Sequence, residues 1–283
     1  MKDIFIKKTT LGDAKDLVDD HISSLAFPLD SYLEDILLDA QIYCFVRDDN
    51  LIGYFAVSER TMQFFHVIKS HYRYAASLFL RAITEHALKT VRVMSQDSQL
   101  CALMVEWDYT PERGACWFTD SGAEVNSASK VPHAVLRKAK MQDLDAVEQA
   151  TGDFFSEESG GFSGLAQRIE AETIFILEND NELLGCGIVE YGRICKDYMS
   201  IGMFVCPHHR QKGVAKTILL GLKDYAYSKN KKPLAGCWYY NTLSRKSLES
   251  AGMIATSMGY NAHLKKKDNP PKRTGNPPGE SVE

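Results

Sequence analysis

The segment Met203-Phe204-Val205-Cys206-Pro207-His208-His209-Arg210-Gln211-Lys212-Gly213-Val214-Ala215 decides how this chain is read. Tyr198-Met199-Ser200-Ile201-Gly202 leads into it as a strand, and Pro207, which has no N–H to give to a ladder, stops that strand. Beyond it, Val214, Ile218, Leu222 and Tyr225 recur at helical spacing, the mark of a long helix packing one side on a sheet. The first amides of such a helix have no intrahelical acceptor and sit at its electropositive end. Gly213 lets an anion approach the main chain, Ala215 keeps the next contact small, and Arg210 and Lys212 add positive charge. This strand–turn–helix predicts a cradle for a diphosphate.

Working outward, the plan around the cradle occurs twice. Ile6-Lys7-Lys8 followed by Asp13-Ala14-Lys15-Asp16-Leu17-Val18 matches Leu136-Arg137-Lys138 followed by Asp143-Leu144-Asp145-Ala146-Val147 at constant offset, each a strand entering a helix capped by Asp or a neighbour. Residues 45–53 parallel residues 175–185, both strand, polar turn, strand. Later strands end near Ile68 and Val205, and long helices follow, the first over about residues 75–88. The order predicts an α+β fold in two tandem units, each a mixed, mostly antiparallel sheet flanked by helices. Units over residues 1–126 and 132–264 are expected, joined by a Gly/Ser/Asn-rich link within residues 120–132. Residues 265–283 are almost without apolar side chains and read as a disordered tail.

Composition narrows the function. At 283 residues, 45% hydrophobic and 25% charged, with a formal charge of −4, the chain reads as globular and offers no basic surface for nucleic acid. No apolar run is long enough to span a bilayer, and the first residues are too quickly charged for a signal peptide, so no membrane association and a cytoplasmic location are expected. The seven cysteines form no CxxC pair, which argues against a disulfide framework or zinc site. Cys206 reads as a small buried thiol, and His208 and His209 have no third ligand nearby, so no metal is expected.

On Val205, Pro207, Arg210, Gly213 and Ala215, in register, the chain resembles the GNAT acyltransferase superfamily, whose signature is V-x-P-x-x-R-x-x-G-x-G/A. A second block, Trp238-Tyr239-Tyr240-Asn241-Thr242-Leu243-Ser244 running on through Leu248-Glu249-Ser250-Ala251-Gly252-Met253, resembles the family's fifth strand and the helix after it. The resemblance covers about residues 133–264 and reaches the first half only through the repeat. It implies acetyl-CoA as co-substrate, with the main chain of Met203, Phe204 and Val205 along the pantetheine arm and residues 210–215 on the diphosphate. Asn241 and Ser244 would meet the arm from the fifth strand, although a helix cap explains both residues equally well. In the first half, aligning Ile68 with Val205 puts Ala76 at the Gly213 position and the bulky Leu78 at the Ala215 position. That copy therefore reads as degenerate, a structural partner and substrate-cleft wall.

The implied activity is transfer of acetyl from acetyl-CoA to a primary amine, on a small molecule or a protein, by direct attack on the thioester. The family's usual general-acid tyrosine falls at Leu248 and its frequent glutamate base at Met199. Ser244, Ser247, Tyr239 or Tyr240 could replace the acid, and Glu190 or Tyr198 the base. The loop of residues 153–162, with paired acids and aromatics, suits a cationic amine. The missing acid and base keep a second reading open, an acyl-CoA-binding regulatory module without turnover. A scaffold binding no cofactor is the third.

Overall fold

The computed structural model describes residues 3–125, 131–155 and 164–265. In chain order the first half runs β1 (Ile4–Thr9), α1 (Lys15–Ser24), α2 (Ser31–Asp39), β2 (Gln41–Arg47), β3 (Asn50–Ser58), β4 (Thr61–Val67), α3 (Ala75–Glu85), β5 (Thr90–Met94), α4 (Ser98–Met104) and β6 (Tyr109–Asp120). The second runs β7 (Val135–Lys138), α5 (Leu144–Thr151), α6 (Leu165–Glu170), β8 (Ile174–Asn179), β9 (Glu182–Tyr191), β10 (Tyr198–Val205), α7 (Val214–Ser228), β11 (Lys232–Trp238), α8 (Thr242–Ser250) and β12 (Met253–Leu264). The expected α+β plan used twice is present. The β2–β3 and β8–β9 hairpins turn on Asp48-Asp49 and Asp180-Asn181, all four at positive φ, as a two-residue turn matched to strand twist requires. Asp13 and Asp143 differ from expectation in one detail: each binds within the turn before its helix, and neither side chain caps α1 or α5.

Among the described residues, twelve strands form one sheet in the order β1-β2-β3-β4-β5-β12-β6-β11-β10-β9-β8-β7. Among these strands β4–β5 and β10–β11 pair in parallel and the other neighbours antiparallel. The last strand of each half is exchanged: β6 leaves its own half to pair with β11, while β12 leaves the other to pair with β5, and the two lie antiparallel to each other. Side chains follow this crossing. Trp117 of β6 packs with α1 and α2 of the first half, while its neighbours Cys116 and Phe118 pack in the core under α7 and α8. On β12, Ala262 belongs to the first half's core and Met253 to the second's.

Helices cover both faces of the sheet. In the first half α3 and α4 pack on Phe45, Phe55 and Phe65, while α1 and α2 pack on Tyr54 and Phe64. In the second, α7 buries Val214, Ile218 and Leu222 against the sheet, as their spacing predicts. On the other face α5 and α6 pack with Ile174, Ile176 and Ile188. No helix among the described residues is long and apolar enough to cross a membrane.

A buried polar contact ties the two halves together. Glu34 of α2, fully buried, accepts from the amides of Arg193 (2.7 Å), Ile194 (3.1 Å) and Cys195 (2.7 Å) in the loop joining β9 to β10. A buried carboxylate is tolerated because donors replace its lost hydration. Thus α2 is anchored on the second half with its N-terminus at the β10–β11 junction, where Ser31 N–H donates to Ser200 Oγ (2.9 Å).

Candidate active site

β10 is hydrogen-bonded to β9 from Met199 to Val205, but its parallel pairing with β11 ends at Ser200↔Leu234. Beyond that rung the two strands diverge, leaving main-chain groups of β10 unpaired along one edge. The open wedge holds a cavity of about 280 Å³. Its walls are Ser200–Met203 of β10, Ala235–Trp238 of β11, Asn241, Ser244 and Leu248 at α8, Ile188 and Glu190 of β9, Phe154, and Asp30, Ser31, Tyr32 and Asp35 at the start of α2. A second cavity of about 310 Å³ adjoins it, sharing Ser31, Asp35 and Glu190.

At the far end of β10 a 3-10 turn over Pro207–His209 leads to the cradle. Gly213 caps α7 at φ 83°, ψ −3°, left-handed backbone that a side chain would strain, and Gln211 is also at positive φ. The amides of Gly213, Val214 and Ala215 find no acceptor among the described residues; the first helical bond is Thr217 N–H to Gly213 C=O at 3.0 Å. Arg210 folds back, its Nε donating to Val205 C=O at 3.4 Å, and Lys212 is exposed. His209 pairs with Glu182 at 3.0 Å. The turn therefore offers the amides of Gly213, Val214 and Ala215, unengaged among the described residues, with two cations beside them.

Of the other residues singled out from the sequence, Met203, Glu190, Asn241 and Ser244 line the cavity, and Phe204 and Val205 complete the open strand edge. Asn241 does cap α8, its Oδ1 accepting from Ser244 N–H at 3.0 Å, and it faces the cavity as well. Tyr198 is not brought in. It lies at the closed end of β10, opposite Lys232, about 16 Å of strand from Met203. Glu190 is in place, but its oxygens are engaged by Arg168 Nη2 (2.6 Å) and the Ser31 hydroxyl. Of the possible general acids only Ser244 reaches the cavity: Ser247 donates to Leu243 C=O, Tyr239 is flanked by Arg113 and Arg245, and Tyr240 is exposed. Leu248 and Met199 are buried core residues. Cys237 also lines the cavity, but burial pushes its thiol up to about 11, and burial likewise raises Cys206. In the predicted acceptor loop, Phe154 lines the cavity and Phe155 is buried; residues 156–162 lie outside the described residues, as do 266–283 of the expected tail.

The contribution of α2 is not visible in the sequence. Asp30 caps that helix through Oδ1 to Leu33 N–H (3.0 Å). Burial pushes its carboxyl up to about 6, with Glu190 and Glu34 adding to the rise and the Leu33 amide and Trp117 indole opposing it. Pro28-Leu29-Asp30-Ser31 carries only a helix-start signal, and nothing in it says which half the helix will face.

The first half lacks this site, though not for the reason expected. The ladders pair Val67 with Gly53 as they pair Val205 with Gly185, so Val67, not Ile68, corresponds to Val205. A six-residue 3-10 helix (Lys69–Tyr74) then leads to α3, and Tyr74, at φ −99°, stands at the cap position Gly213 holds in the second half. Leu78 obstructs nothing; it is wholly buried in the core. What fills the β4–β5 wedge is Gln99 of α4, whose side-chain amide accepts from Val67 N–H (2.9 Å) and donates to Val67 C=O (3.0 Å).

A splayed pair of parallel strands with a left-handed glycine opening the next helix defines a class of acyl-transfer fold, and comparison with known proteins agrees. Residues 10–121 match the acetyltransferase (GNAT) domain and residues 143–253 the acetyltransferase (GNAT) family. The chain belongs to the GNAT acetyltransferases, with two such domains in tandem. Among solved structures it resembles a GNAT-family acetyltransferase from Colwellia psychrerythraea (TM-score 0.80, 18% identity, covering 92% of this chain and 100% of that one). It also resembles a tandem GNAT protein from the clavulanic acid biosynthesis pathway (TM-score 0.64, 12% identity, 94% and 100% covered). A GCN5-related N-acetyltransferase from Sphaerobacter thermophilus gives a TM-score of 0.60 at 13% identity, with 95% and 98% covered. No curated protein matches the chain in sequence.

Proposed function

We propose that the second half transfers acetyl from acetyl-CoA to a primary amine, on a small molecule or a protein, by direct attack on the thioester, and that the first half is a degenerate copy serving as the acceptor-side wall. The observation that carries this reading is the pairing of an unpaired β10 edge with unengaged amides at Gly213, Val214 and Ala215. Those amides, with Gln211, Arg210 and Lys212, would hold the diphosphate. The main chain of Met203, Phe204 and Val205 would run beside the pantetheine arm, with Asn241 and Ser244 across the wedge. Acetyl-CoA supplies an activated acyl carbon; the chain's part is to hold its carbonyl against an N–H of β10 and to exclude water. Leu248 gives the departing thiolate no proton; Ser244, which lines the same cavity, would supply it.

The acidic wall suits a cationic acceptor. Asp30, Asp35 and Glu190 face the cavity, and the adjoining space leaves room for the body of a larger amine. The buried Leu248 and Met199 favour one other reading, an acyl-CoA-binding module without turnover. Thiol release from acetyl-CoA against a panel of alkylamines, arylamines and lysine peptides separates them. Turnover with any amine supports transfer; tight acetyl-CoA binding with none supports the module; no binding removes both.

A further inference from the structure

We propose that Asp30, carried by the first half, is the catalytic base of the second half's site, taking the proton from the amine that attacks the thioester. This rests on the acyltransferase reading above and goes beyond it, because the base comes from the other domain.

Position singles this residue out. The last paired rung of β10 and β11 is Ser200↔Leu234, and Gly202 and Gly236, two residues further on each strand, line the cavity where the wedge opens. Asp30 is at that root. A Cβ placed on Gly236 would stand 2.6 Å from Asp30 Oδ2, so the glycine is what admits the carboxylate against the strand. With Oδ1 spent on the Leu33 amide, Oδ2 lies toward the cavity wall formed by Gly236, with the Trp117 indole beside it.

Charge points the same way. The other two acids of the cavity are paired, Glu190 with Arg168 and Asp35 with Arg193. Asp30 has no ion pair among the described residues. The titratable groups around it are Glu34 on its own helix, Glu190 on β9, Cys195 in the loop before β10, and Cys237 on β11, none of them cationic. Burial, Glu190 and Glu34 raise its proton affinity, and the same desolvation lowers that of an ammonium entering the cavity, which brings donor and acceptor closer together. Glu190, tied to Arg168 and Ser31, is then a positioning residue that fixes the helix start carrying Asp30.

The protons balance. The bound ammonium gives one proton to Asp30 Oδ2; the freed nitrogen lone pair forms the C–N bond as the C–S bond breaks. Ser244 gives its hydroxyl proton to the departing thiolate and regains one from the nitrogen, and Asp30 returns its proton to water.

Asp30→Asn tests this in the full chain, since Asn caps a helix as well as Asp does and the fold is retained. With an alkylamine acceptor, kcat/KM is expected to fall by about 100-fold or more, and the acid limb of the wild-type profile near pH 6 to vanish. With an arylamine, already neutral near pH 7, the loss should stay within about threefold, because no proton need be removed before attack. Acetyl-CoA affinity should be unchanged by calorimetry. An equal loss with both amines, an unchanged acid limb, or full activity with alkylamines overturns the proposal alone. Wild-type protein that acetylates no amine overturns the reading beneath it.

Discussion

Replacing Glu34 by Gln probes the joint between the halves, and its cost can be worked from three distances. Oε1 accepts from the Ile194 and Cys195 amides, and Oε2 from the Arg193 amide, with Arg193 Nε 4.0 Å from Oε2. Gln keeps the shape and one accepting oxygen but turns an NH2 toward the Arg193 N–H, donor against donor. One charge-assisted hydrogen bond of about 1.5–3 kcal/mol is lost and a buried amide is orphaned, giving about 3 kcal/mol in all. Glu34→Ala, which strands all three amides, should cost about 5 kcal/mol. For a chain of this size the Gln variant's Tm should drop by roughly 6–12 °C, with a matching fall in urea midpoint. Asp35→Asn is the control: its partner Arg193 is half exposed, so that pair should contribute under about 1 kcal/mol. Equal losses for Glu34→Gln and Asp35→Asn, or a Glu34→Gln loss below about 1 kcal/mol, would refute the view that the buried carboxylate anchors α2.

Gly213→Val forces a branched side chain into left-handed backbone, costing about 1–2 kcal/mol of stability. It should also abolish the stabilisation of about 2.7 kcal/mol expected from acetyl-CoA at a hundredfold its Kd, read as a lost thermal shift. Gln99→Leu should lower the urea midpoint by the equivalent of about 2 kcal/mol, because both polar groups of Val67 lose their partner. Its acetyl-CoA stoichiometry should stay at that of the wild type, since the first half has no left-handed glycine at α3. Asp30 binds its proton more tightly folded than unfolded, so its contribution to stability falls as pH rises from 3.8 to about 6 and stays low above that. Asp30→Asn should therefore gain up to about 3 kcal/mol over wild type at alkaline pH, shrinking to nothing near the unfolded value. Urea midpoints for both proteins across pH measure this, and a pH-independent difference would contradict it.

Much of the fold was legible because its signals are local. The Pro207 stop, the helical stripe from Val214 and the paired polar turns each depend on residues within a few positions, and each is where expected. The strand exchange was not legible, since pairing β6 with β11 or with β5 leaves the same alternation in the sequence. The cradle could be read for the same local reasons. The acceptor side could not: Tyr198 and Ser200 look alike as members of one strand, and only the three-dimensional divergence after Ser200 separates closed from open edge. The alignment of the halves slipped by one residue at Val67 because a longer 3-10 segment replaces the proline turn, which no hydrophobic pattern reveals.

The crossing of β6 and β12 makes the two copies inseparable in practice. Cutting the chain in the link between them would strip β11 of its neighbour and leave β5 with a bare edge, so neither fragment is a smaller version of the whole. A first half without a ligand cradle of its own is thereby still required, because its backbone must persist for the other half to fold.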